Sequence, residues 1–222
     1  MSWYRFLYKT FRGLMLHVVF PTKIVRRCGE FPEGKLLLCC NHLSAADVIL
    51  LIAACPRQLR FMAKKELFSV PVLGWLIRTM GAFPVDRAGG NVGALKKGVQ
   101  LLNEEEVVGI FPQGTRCKGA DPRTTVGKLH GGMALMAERT HAPIIPVSIE
   151  TKGYVIKPFK RNVLSFGAPV AYGEYAPLLE DGGRNALTKE IFLRICDMAD
   201  ESRIERENKK NRKRSKRGKD TV

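Results

Sequence analysis

Acidic side chains are scarce in this chain: 21 aspartates and glutamates face 37 lysines and arginines, a net charge of +16 over 222 residues. That surplus argues against cationic partners and for anionic ones: a membrane surface, an acidic carrier protein, a phosphorylated substrate or nucleic acid. Long apolar runs are missing too. No stretch reaches the roughly 20 apolar residues that a membrane-spanning helix needs. The first residues are basic but lack a long apolar core and a clear small-residue cleavage site, so no signal peptide is expected. If the chain works on lipid, it is expected to lie on the membrane. The six cysteines, at 28, 39, 40, 55, 117 and 196, include no Cys-x-x-Cys pair, and Cys39, Cys40 and Cys55 fall in apolar runs. They read as reduced core thiols of a cytosol-facing protein, which excludes a disulfide framework or a zinc site. The four histidines, at 17, 42, 130 and 141, show no metal-ligand spacing, and no metal or resident cofactor is expected. The glycine-rich stretch Ala88 to Gly93 lacks the lysine-plus-hydroxyl ending of a phosphate-binding P-loop and reads as a flexible connection.

What is present is enough for one catalytic-sized domain with extensions. Residues 1–34 read as an N-terminal interfacial helix and linker. Trp3, Phe6, Leu7, Phe11, Leu14, Met15 and Val18 share a face, with Arg5, Lys9 and Arg12 largely opposite. The competing reading is a surface helix packed on the core. From Lys35 short strands alternate with helices. Strands are expected at 36–40, 60–63, 82–85, 107–111, 144–148 and 163–166, and helices at 48–54, 92–102, 130–139 and 186–205. The alternation predicts an α/β fold, one domain over 35–205 with a mixed, mainly parallel sheet flanked by helices. The apolar stretch from Leu67 to Met80 is either core or a second membrane-contacting patch. Residues 206–222 form a nearly continuous basic run, expected to be disordered and drawn to anionic surfaces.

The chain is organised around Asn41-His42-Leu43-Ser44-Ala45-Ala46-Asp47, a polar knot between the apolar run Leu36 to Cys40 and a second from Val48 to Ala54. An offset of five puts His42 and Asp47 on different faces of a regular helix. They meet only if His42 lies in the turn and Asp47 in the first helical turn, reaching back. Asp47 would then accept from one imidazole nitrogen and leave the other free as a base. The alternative is a helix N-cap by Ser44 or Asp47, with His42 an ordinary loop residue.

Asn41-His42-x-Ser44-x-x-Asp47 resembles the His-x4-Asp motif of the glycerolipid acyltransferases, the family of 1-acylglycerol-3-phosphate O-acyltransferase. Three further blocks resemble that family in order: Gly81 to Arg87, Phe111 to Arg116, and Ala142 to Val147. Ala63 to Phe68 is similar as well, and the likeness covers roughly Lys35 to Ile149. It implies transfer of a fatty acyl group from a thioester donor, acyl-CoA or acyl-carrier protein, to the free hydroxyl of lysophosphatidate, giving phosphatidate. His42 would be the base and Asp47 its orienting carboxylate. Arg87 and the loop Gln113, Gly114, Thr115 and Arg116 would bind the acceptor, with Gly114 admitting it close to the backbone. Arginine suits a phosphate because its fork donates two parallel hydrogen bonds. The family usually has glutamate where this chain has Gln113, which keeps the length and the acceptor oxygen but loses the charge. It commonly has lysine near His130.

Two mechanisms stay open: direct attack by the acceptor hydroxyl, or an acyl-enzyme on Ser44 or Cys40. Two functions from different classes also stay open. One is the enzyme, with glycerol-3-phosphate or another lysolipid as further acceptors. The other is a non-catalytic binder of anionic membrane or nucleic acid on the same scaffold. The basic run after Arg206 has no interleaved aromatics, so nucleic acid is not expected as a partner. The expected location is peripheral, on the cytoplasmic face of an anionic membrane.

Overall fold

The structure, a computed structural model, describes residues 10–85, 92–117 and 119–219. Seven strands form one sheet in the order β1-β7-β6-β2-β5-β3-β4. They are β1 (Thr22–Arg26), β2 (Leu36–Cys40), β3 (Leu59–Lys64), β4 (Ala82–Val85), β5 (Val107–Ile110), β6 (Ile144–Thr151) and β7 (Asn162–Phe166). β2, β3, β4, β5 and β6 are mutually parallel. β7 runs antiparallel to β6, and β1 pairs parallel with β7. The mixed, mainly parallel sheet expected from the alternation of elements is the one found.

β2 is central and buried along its whole length. Leu36, Leu38 and Cys40 enter the core on one face, and Leu37 and Cys39 enter the core on the other. A strand covered on both sides reads as a continuous apolar run, which is why five consecutive apolar residues make a strand here. The first face is covered by α1 (Ala46–Ala54) and by the N-terminal segment. The second is covered by α3 (Val92–Asn103), α4 (Gly132–Thr140) and α5 (Tyr172–Lys219). The short α2 (Pro71–Thr79) follows β3.

Two boundaries differ from the sequence expectation. β1 is an edge strand of the main sheet, and Leu16 and Phe20 are buried in the first core with Phe11, Met15 and Val19 packed against it. The domain therefore begins well before Lys35. Only the later half of the expected interfacial helix is described: helix from 10 to 13, then a π-helical turn Leu14–Val19 on which Leu14 and Val18 stay exposed. Trp3, Phe6 and Leu7 lie outside the described residues. At the other end, α5 carries helical backbone through the basic run to Lys219. From 184 to 217 there is neither glycine nor proline, and lysine, arginine and glutamate are good helix formers. The helix breaks at Gly183, whose φ of +65 suits glycine.

Candidate active site

Strand β2 ends at Cys40, and the chain turns through residues 41–45 into α1. This is the carboxyl edge of the parallel strands at the sheet's centre, where crossovers diverge to both sides and open α/β folds form crevices. Asn41 fixes the turn. Its side chain, buried, donates from Nδ2 to the Ile149 carbonyl at 2.9 Å and accepts at Oδ1 from the Ile149 amide at 2.8 Å. It thereby extends the β2–β6 ladder past the last backbone pair.

His42 and Asp47 meet as the offset required. Asp47 is 0% exposed, and its Oδ2 lies 2.7 Å from His42 Nδ1. The same oxygen accepts from the backbone amides of Leu43 at 2.6 Å and Ser44 at 2.9 Å. Those donors aim the carboxylate oxygen, which accepts, so Nδ1 carries a proton toward Asp47. Nε2 has no hydrogen-bond partner among the described residues. The imidazole stacks on Phe111, ring centroids 4.1 Å apart, and Phe111 stacks on Phe61. The N-cap alternative is met only in part: the N-cap position is Ala45, without a side-chain cap, and Ser44 Oγ, one of the two candidates, accepts from the Ala46 amide at 3.1 Å.

The segment Gln113 to Arg116 follows β5, the strand next to β2, and divides in two. Gln113 is 1% exposed and points inward. Its Oε1 accepts from the His42 backbone amide at 2.6 Å, which fixes the amide's orientation because N–H can only donate. Its Nε2 donates to Thr125 Oγ1 at 3.0 Å and to Cys117 Sγ at 2.6 Å. The Cys117 amide in turn donates to the His42 carbonyl at 2.9 Å. Gln113 thus holds the His42 backbone from within the core. Gly114 has φ +64, and a Cβ there would stand 2.6 Å from the His130 ring. The glycine is needed by the turn and by His130. Thr115 and Arg116 are exposed and have no hydrogen-bond or ion-pair partner among the described residues. Arg87 lies outside the described residues.

A cleft of about 290 Å³ opens beside the imidazole, lined by His42, Phe61, Ala94, Leu95, Ile110, Gly114 and His130 among others. Apolar side chains make up most of its lining residues, with the two histidines among them. His130, which motif matching left unassigned, is brought to the site by its amide's bond to the Pro112 carbonyl at 2.8 Å. Gly109 leaves room for Phe61, since a Cβ there would come within 2.3 Å of that ring. Of the two alternative nucleophiles, Cys40 is fully buried, and burial reinforced by the Asp47 carboxylate pushes its thiol well above the ordinary value. A protonated, enclosed thiol is inert. The Ser44 hydroxyl faces Asp47 Oδ1 at 3.5 Å. No group of metal-ligating side chains occurs among the described residues.

The Acyltransferase family model matches residues 19–150, more than half of the chain, and the chain belongs to that family. It is 31% identical over 169 residues to the 1-acyl-sn-glycerol-3-phosphate acyltransferase of Bacillus subtilis, covering 75% of this chain and 82% of that one. The enzyme of the same name from Streptococcus pneumoniae is 31% identical over 155 residues, covering 68% of this chain and 55% of its own length. The fold matches the crystal structure of the 1-acyl-sn-glycerophosphate (LPA) acyltransferase PlsC from Thermotoga maritima, with a TM-score of 0.67, 21% identity, and coverage of 90% of this chain and 81% of that one.

Proposed function

We propose that this chain moves a fatty acyl group from a thioester to the free hydroxyl of lysophosphatidate, forming phosphatidate. The observation that carries this is the free Nε2 of His42, with Nδ1 tied to buried Asp47, at an apolar cleft. The acceptor hydroxyl gives its proton to Nε2 as its oxygen attacks the thioester carbonyl. The tetrahedral intermediate collapses, the carbon–sulfur bond breaks, and the imidazolium returns the proton to the leaving thiolate. Asp47 stabilises the imidazolium formed between those steps. No acyl-enzyme is needed, in keeping with the inert Cys40. Base catalysis of this kind contributes ~10²–10⁴-fold, and positioning supplies the rest.

The cleft's apolar walls suit an acyl chain, and Arg116 suits the acceptor's phosphate, with Arg87 as its expected companion. Either acyl-CoA or acyl-carrier protein fits as donor, both being anionic like the partners that a charge of +16 favours. No helix among the described residues is long and apolar enough to cross a membrane. The chain would therefore meet its acceptor by docking on an anionic, cytoplasm-facing bilayer. Leu67, Val70 and Trp75, all exposed just beyond β3 on the His42 edge, with Lys64, Lys65 and Arg78 around them, would be one point of contact. The test is purified protein with labelled acyl-CoA or acyl-carrier protein and a panel of lysolipids and glycerol-3-phosphate, followed by chromatography of the product. Phosphatidate formed from lysophosphatidate is expected. Product only from another acceptor would reassign the substrate, and none at all would favour a non-catalytic membrane binder.

A further inference from the structure

The turn Lys157-Pro158-Phe159-Lys160 is built against its own sequence. The Lys160 amide donates to the Lys157 carbonyl at 3.3 Å, closing a β-turn with proline at its second position. Phe159, third in the turn, has φ +59. That is the place where a type II turn takes glycine or asparagine, and a bulky side chain there is strained. The ring gains nothing from the fold in exchange: Phe159 is 72% exposed, more than any other large apolar residue described. Strain and apolar exposure at one residue point to a role outside the domain's own packing.

The surroundings indicate the partner. Residues 152–161 hold Lys152, Lys157, Lys160 and Arg161, all exposed, and no acid. The Phe159 amide donates to the Val19 carbonyl at 2.7 Å, and the Asn162 amide to the Pro21 carbonyl at 2.8 Å. The turn is thus stapled to the end of the N-terminal helix, whose Leu14 and Val18 are exposed. The strand register fixes which edge this is. β6 runs parallel to β2 and continues to Thr151, which pairs with Asn162, which pairs with Thr22. Phe159 and the helix therefore stand on the same edge as His42, two or three strand spacings away, about 10–15 Å in the pairing direction.

We infer that the Lys157–Lys160 turn and the exposed side of the N-terminal helix form a membrane-docking foot, with Phe159 entering the interface of an anionic bilayer and the flanking cations reaching its phosphates. With the Trp75 patch beyond β3, the foot brackets the catalytic cleft from both sides, so that the cleft opens onto the bilayer. The inference rests on the proposed lipid acceptor, but its readout is binding.

Flotation of the full chain with phosphatidylcholine vesicles, with and without phosphatidylglycerol, tests it. Phe159→Ser should weaken partitioning about fivefold or more at every salt concentration, while Lys157→Glu with Lys160→Glu should weaken it only at low salt. Phe159→Gly separates docking from packing: it should lower partitioning while the melting temperature holds or rises, because glycine relieves the positive φ. Activity on detergent-dispersed acceptor should be unchanged in both Phe159 variants. Wild-type partitioning by Phe159→Ser would overturn the inference, as would a lower melting temperature for Phe159→Gly. A Phe159→Ser variant that binds vesicles normally but loses use of acyl-carrier protein would make the turn a carrier-docking site and equally overturn it. If partitioning falls as expected yet no lysolipid is acylated, the docking foot stands and the proposed acceptor fails.

Discussion

Two segments lie side by side on the sheet's carboxyl edge and are held in opposite ways. The turn from Asn41 to Asp47 has its polar groups tied within the protein: Asn41 to β6, Asp47 Oδ2 to three donors, and both backbone groups of His42 to the next loop. The tip from Gly114 to Arg116 is exposed and, among the described residues, makes only the Gly114 amide's bond to Phe111. The proposed base is thus preorganised before substrate arrives, whereas the cation proposed for the acceptor is free to be ordered by it. A fixed base contributes to the chemical step, and a cation ordered on binding contributes chiefly to acceptor affinity.

The sharpest way to break that contrast is at the base. His42→Ala should lower kcat by about 10²–10⁴-fold with a modest fall in the melting temperature, since the ring is mostly enclosed but Asp47 keeps its two backbone donors. Activity within tenfold of wild type in a steady-state assay would remove His42 from the mechanism. Asp47→Asn should come next. If the amide oxygen takes the place of Oδ2, the tautomer is kept and only the stabilising charge is lost. If the amide nitrogen turns to Nδ1, the wrong tautomer results, and a loss approaching about 10⁴-fold is expected. A stability loss of about 1–3 kcal/mol should accompany the second orientation, because buried amide donors lose their acceptor. Denaturant titration beside the kinetics separates the two.

Arg116→Ala tests the other side. Loss of one charge-assisted contact to phosphate, about 1.5–3 kcal/mol, should raise the acceptor KM roughly 10–150-fold while kcat and the donor KM hold. A fall in kcat instead would mean that the tip, too, is positioned in advance.

Gln113 sits between the two segments, and its substitution should have a smaller effect. With only the sequence in view, Gln113→Glu restores the family's usual residue at nearly equal volume. The structure adds that the side-chain nitrogen donates to Cys117 and Thr125, and a carboxylate cannot. Thr125 Oγ1 already donates to the Pro122 carbonyl at 2.6 Å, and a thiol is a weak donor. Gln113→Glu alone should cost about 1–3 kcal/mol of stability. Burial would raise the new carboxyl's folded-state value, so the cost should grow as pH rises above its unfolded value. Adding Cys117→Ser should recover part of it by supplying a hydroxyl. A double variant no more stable than the single, by thermal melts, would show that the pair is not coupled. The smallest effect is expected at Cys40: iodoacetamide on the native protein should leave turnover within about twofold, because the thiol is enclosed and protonated.

How much was legible follows from how local each feature is. β2 and β4 were readable to the residue because short apolar runs bounded by turn residues have few other interpretations. β1 was not: Thr22-Lys23-Ile24-Val25-Arg26 is a half-exposed edge strand, and half of its pattern is solvent. Gln113 was assigned to the acceptor because motif position says which residues matter without saying which way they point. Phe159 carried no signal, since a lone phenylalanine in a basic loop is ordinary until its φ and exposure are known.

The sequence by itself determined the α/β class and the central strand, and it narrowed His42 and Asp47 to two arrangements, of which the structure shows the one in which they meet. Those depend on hydrophobic period and on a separation of five residues, within which the chain has few ways to turn. Only the tertiary structure decided that Gln113, 71 residues from His42, holds its backbone, that Asn41 reaches across 108 residues to Ile149, and that Phe159 shares an edge with the base. Parallel strands are joined by crossovers that carry the chain far away before it returns. Which distant residues then become neighbours is set by register and packing, and no local pattern encodes it.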